Sequence, residues 1–159
     1  IFEDDVEFDR FDSKRLMHCI HFLKMHPDWK VLLLGALIRS SFKTDNPCVQ
    51  KVRYQSLTHA YALNRHYAQK LAYEPWNGIV NDTLFRPLTE GIYALYPMCA
   101  FQKDFKSDNY KYPKLERFRR WLGGLNRIQK GFEFYSRHKF GIYAVQVVAI
   151  FFTLFILFE

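Results

Sequence analysis

Cysteine is scarce in this 159-residue chain, and so are the residues that punctuate backbones: three cysteines, six prolines and seven glycines. Cys19, Cys48 and Cys99 show no CxxC spacing and cannot all pair with one another. That argues against a zinc site and against a disulfide framework, and favours a reducing compartment. No repeat and no low-complexity tract is visible, which excludes a solenoid and a disordered linker. A signal peptide is also lacking. The chain opens at Ile1, without methionine, in a strand-like IFEDDVEF run, and so reads as a fragment whose true start lies upstream.

What is present is the composition of one globular domain, 49% hydrophobic and 18% aromatic, enough to bury a single core. The net charge of +7 and pI of about 9.3 are unevenly placed. The first block is acidic, whereas Lys111 to Lys139 holds nine basic residues against Glu116 and Glu133. This excess lies just before an uncharged stretch, Phe140 to Phe158, 19 residues long. Such a position suits membrane lipid headgroups and argues against nucleic acid as partner. At ~1.5 Å per residue the stretch is long enough for a bilayer core of ~30 Å. The expectation is a transmembrane helix over 140–158, preceded by a basic juxtamembrane segment over 111–139. A buried helix or strand pair is the alternative. Basic flanks favour the cytoplasmic side, so the sequence predicts a single-pass membrane protein with its globular part in the cytoplasm.

Within the globular part, 1–110, strands and helices alternate. Ile1 to Phe8 reads as a strand ending in carboxylates. Ser13 to Met25 carries Leu16, Met17, Ile20, Phe22 and Leu23 at near-helical spacing, with Ser13 as N-cap and His26-Pro27 as stop. Trp29 to Gly35 is an apolar run typical of a strand buried on both faces, expected beside the first strand. Ser40 to Gln50 reads as a loop and Val52 to Tyr54 as a short strand. Ala60, Leu63, Tyr67, Ala68, Leu71 and Ala72 form a helical stripe ended by Glu74-Pro75. Asn81-Asp82 opens a short turn, and Ile92 to Tyr96 reads as a last strand.

Glu3, Asp4 and Asp5 carry the strongest chemical signal. Three adjacent carboxylates repel unless a cation is near, and hard Mg²⁺ or Mn²⁺ prefers such oxygens and bridges them to a diphosphate. A solvated acidic turn is the plain alternative.

In order, the chain reads IFEDDV, a helix, DWKVLLLG, a polar loop, THAYALNRHYAQKL, PWNGIVNDTLF and YALYPMCAFQKDFKSDN. This succession, over about Ile1 to Asn109, resembles the second half of glycosyltransferase family 25, which includes bacterial lipooligosaccharide and collagen galactosyltransferases. The resemblance implies an α/β fold of the GT-A type, partial because its N-terminal nucleotide-binding unit would precede Ile1. It also implies transfer of galactose or a similar sugar from a UDP-sugar donor to a glycan or hydroxylated protein acceptor. By this analogy Asp5 is the direct ligand of Mn²⁺ or Mg²⁺, with Glu3 as a further metal ligand, or with Glu3 and Asp4 on the metal's waters or the ribose. Asp82 falls near the family's acidic motif and is the candidate base for the acceptor proton, an Asn-Asp helix cap being the alternative. His59, in Thr58-His59-Ala60-Tyr61, is a sugar or metal ligand or else a buried polar residue; Leu57 stands where the family carries a small residue. Gln102, Ser107 and Asp108 correspond to the family's closing Gln and Ser-Asp elements and are candidate donor or acceptor contacts.

Other residues take plainer readings: His18 and His21 as surface residues, Tyr93 and Tyr96 as sheet packing, Trp76 as core filling or a sugar-stacking ring. Without the upstream unit, the fragment alone is expected to be a poor enzyme. The competing class is a non-catalytic, membrane-anchored binding module or a degenerate transferase remnant.

Overall fold

The computed structural model describes residues 1–75, 84–103 and 113–158. Its elements run β1 (Val6–Phe8), α1 (Ser13–Met25), β2 (Val31–Lys43), β3 (Val49–Leu63), α2 (Arg65–Tyr73), β4 (Ile92–Leu95), β5 (Ala100–Gln102), α3 (Pro113–Trp121) and α4 (Gly124–Phe158).

The centre is one long, curled hairpin. β2 and β3 pair antiparallel from Val31↔Leu63 to Lys43↔Gln50, with register shifts between Leu33 and Ser40. Irregularities of this kind bend a strand and increase its twist. The curl lets β4 join both ends, parallel to β2 at Val31↔Ile92 and antiparallel to β3 at Val49↔Leu95, so the three strands close into a barrel. A separate two-stranded sheet pairs β1 with β5 through Val6↔Gln102 and Phe8↔Ala100. The apolar run of β2 is buried from Val31 to Ala36. Side chains alternate across a strand, so Leu32 and Leu34 join Phe22, Leu23 and Tyr93 in one core cluster, while Val31 and Leu33 join Tyr54, Phe85 and Met98 in another.

Several expectations are corrected. β2 pairs with β3 and β4, and the strand beside β1 is β5. The hairpin turn is short because Thr44 Oγ1 donates to Val49 O at 2.8 Å and Asn46 Oδ1 accepts from Cys48 N at 2.9 Å. These bonds confine the predicted Ser40–Gln50 loop to its middle. The stripe starting at Ala60 belongs to β3 as far as Leu63; Asn64 then caps α2 by accepting from His66 N. Likewise Asp12, one residue before Ser13, caps α1 by accepting from Lys14 N and Arg15 N.

The expected partial GT-A-like fold with a transmembrane helix does not form. The molecule is a small mixed α/β unit with a C-terminal helix, and among the described residues no helix is long and apolar enough to cross a membrane. The single-pass, cytoplasm-facing localisation falls with it. The physical reason is that the uncharged stretch is no segment of its own. It is the distal part of α4, whose first turns carry Arg127, Lys130, Arg137 and Lys139 and pack on the sheet. Gln129 and Ser136 are buried there, and Glu133 is only 6% exposed. Further along, Val145, Ile150, Phe151 and Phe152 are exposed.

Candidate functional site

The acidic run sits where the chain changes partner strand. Residues 1–3 lie along β3: Tyr61 N donates to Ile1 O at 3.1 Å and Glu3 N donates to His59 O at 2.9 Å. Asp4 and Asp5 form a turn, after which β1 joins β5 and Lys103 N donates to Asp5 O at 2.9 Å. The carboxylates therefore lie not at the end of a buried strand but at the crossing between two sheets.

This crossing brings Asp5 to Gln102, and Glu3 to Thr58 and His59, contacts between residues remote in sequence. Gln102 Nε2 donates to Asp5 Oδ2 at 2.6 Å, and Thr58 Oγ1 donates to Glu3 Oε1 at 3.3 Å. Asp5 Oδ1 and Gln102 Oε1 are buried atoms without a hydrogen-bond partner. Burial without a partner is costly for oxygen acceptors, and both atoms are hard oxygen donors. Tyr61 lies on the same strand as Thr58; burial, and then the nearby Glu3 carboxylate, push its phenol above the usual range. It therefore stays protonated at neutral pH.

His59 has a different setting. It is 0% exposed, and its Nε2 lies 3.0 Å from Ala100 O. A carbonyl only accepts, so Nε2 carries the proton and the imidazole ties β3 to β5. The same carbonyl accepts from Gln129 Nε2 of α4 at 2.9 Å. This close approach requires Gly35: a Cβ there would stand 1.9 Å from Ala100 O and 2.4 Å from His59 Nε2. Leu57, just before Thr58, has φ of 70°, a left-handed conformation that costs a side-chain-bearing residue ~1–2 kcal/mol.

Asp4 is exposed in its turn, and His18 and His21 are exposed on α1. Tyr93 is buried beside Phe22, whereas Tyr96 is covered by the Arg137 guanidinium, 3.9 Å from its ring centre. Asp82, Asp108, Ser107 and Trp76 lie outside the described residues. Sequence reasoning missed Gln129, Gly35 and Tyr61 as parts of this neighbourhood. Nothing local marks Gln129, a polar residue in a basic helix. The TH dipeptide, polar yet set before the apolar Ala60-Tyr61-Ala62-Leu63 end of β3, was the available signal for the β3 side.

Among the described residues no group of three or more His, Cys, Asp or Glu side chains can hold a metal ion. Mg²⁺-type ions, however, are commonly held by one or two carboxylates together with substrate phosphates. The orphaned oxygens of Asp5 and Gln102 fit that smaller protein share. No known protein family, no curated protein and no solved structure matches the chain.

Proposed function

We propose that this chain carries the metal- and diphosphate-binding side of a glycosyltransferase, which moves galactose or a similar sugar from a UDP-sugar to a glycan or protein hydroxyl. The observation that carries this reading is the pairing of Asp5 with Gln102 at the crossing, with one buried oxygen of each left unsatisfied.

Asp5 and Gln102 are the residues that would hold Mn²⁺ or Mg²⁺; when bound, the cation supplies Lewis-acid neutralisation of charge on the departing diphosphate. Gln102 donates to Oδ2 of Asp5 and so leaves Oδ1 as the carboxylate's second acceptor. Thr58 donates to Glu3, which restricts the carboxylate for a water of the cation or a ribose hydroxyl. The protonated Tyr61 phenol lies near enough to Glu3 to feel its charge. Within this reading Asp82 takes the acceptor hydroxyl's proton and Asp108 contacts the donor, while His59 holds the two strands at their spacing rather than touching sugar.

Calorimetry of the full chain with MnCl₂ and UDP tests the proposal. Manganese-dependent UDP binding is expected, weakened at least about tenfold by Asp5→Asn, a loss of ~1.4 kcal/mol. That variant keeps an acceptor for Gln102, so its fold should survive. No binding by the intact chain, or binding indifferent to Asp5→Asn, overturns the proposal. UDP binding without sugar transfer to any hydroxyl acceptor identifies the degenerate remnant.

A further inference from the structure

Exposed basic residues meet exposed aromatic ones at the corner between α3 and α4. Glu133 does not offset their charge. This residue is buried, accepting from Arg10 Nη2 at 3.0 Å and from Met98 N at 2.5 Å. Three of the basic residues are drawn inward or onto rings: Lys130 pairs with Asp9 at 2.6 Å, Arg137 covers Tyr96, and Lys139 lies over Phe42 and Phe140. Lys114, Arg117 and Arg127 remain exposed.

Aromatic surface shares that corner. Lys114, Arg117, Phe118 and Trp121 recur at helical spacing and form one face of α3. Phe118 is 54% and Trp121 77% exposed, with ring centres 5.9 Å apart. Beside them runs an open apolar groove lined by Leu122, Arg127, Ile128, Gly131, Phe132 and Tyr135.

We infer that the α3–α4 corner docks on an anionic phospholipid surface, with Arg117 and Arg127 on headgroup phosphates and Phe118 and Trp121 at the depth of the glycerol backbone. Charge complementarity supplies one argument, because basic residues near an anionic leaflet add attraction residue by residue. The aromatic pair supplies another: tryptophan is enriched where an apolar ring meets a wet headgroup layer, and a short basic-aromatic helix lies in that plane. Single-stranded nucleic acid also suits arginine beside aromatic rings. The aliphatic side chains Leu122 and Ile128 of the groove and the exposed Val145, Val148 and Ile150 of distal α4 offer a polyanion nothing to pair with. The contact is peripheral and needs no helix to cross the bilayer.

The test is co-sedimentation of the full chain with vesicles of phosphatidylcholine alone and of phosphatidylcholine mixed with phosphatidylserine. Phosphatidylserine should strengthen binding, and salt should reverse that gain. Arg117→Gln and Arg127→Gln should each reduce the gain about fivefold, and Trp121→Ser should weaken binding to both vesicles. All three positions are exposed, so circular dichroism should be unchanged. Equal binding to the two compositions, or a gain that survives the double glutamine variant, overturns the inference. Tighter, Trp121-dependent capture of a single-stranded oligonucleotide overturns it in favour of nucleic acid.

Discussion

Gly35 is the residue with least room to change. Its missing Cβ lets Ala100 O approach His59 Nε2, and the alanine methyl would overlap both. Gly35→Ala should therefore cost at least about 3 kcal/mol, above the usual range for overpacking because backbone must move; urea denaturation reads it directly. Cys19 offers a pH-dependent counterpart. Burial, and then the neighbouring Cys48, push its thiol from 9.0 to about 12. A raised folded-state pKa means that the unfolded chain releases this proton first, so stability is intact below pH 9 and falls as pH rises toward about 12. Cys19→Ala should flatten the decline in urea midpoint across that window. At this scale the sequence showed the acidic run, His59 and Gln102 as chemically notable. It did not show that Gln102 would meet Asp5, since 97 positions separate them and only the β1–β5 pairing joins them.

Among the elements, the first part of α4 acts as a strap across β2 and β5. Gln129 holds Ala100 O, Glu133 holds Met98 N and Arg10, and Ser136 Oγ donates to Glu133 O at 2.9 Å. Glu133→Ala leaves a buried N–H and a partly buried guanidinium unpaired, and should destabilise by about 3 kcal/mol. Because β5 also carries Gln102, manganese-dependent UDP binding should weaken in that variant even where thermal melting shows it folded. Charge counting over 111–139 caught the excess of basic residues but not this inward carboxylate. A single acidic residue in a basic helix is equally consistent with a solvated face, and only its burial beside Arg10 distinguishes the two.

For the whole molecule, the structure separates a packed unit from an exposed helical extension. The described residues beyond Ile142 make no part of either core cluster, and a chain ending at Ile142 should keep its melting temperature and its manganese-dependent UDP binding. A chain ending before Gly124 removes Gln129 and Glu133 from the sheet and should lose cooperative unfolding. Differential scanning calorimetry on the two truncations distinguishes them.

Local chemistry determined much on its own: the buried β2 run, the α1 helix and its stop at His26, and the strand at Ile92. These follow from side-chain periodicity and from helix-stopping residues, which act over a few residues. Tertiary structure alone decided the partner of each strand, the curl that closes the barrel, the enclosure of His59 and the continuation of α4 through the basic segment. Those outcomes depend on contacts between residues dozens of positions apart, and their energies do not exist until the chain has already brought the surfaces together.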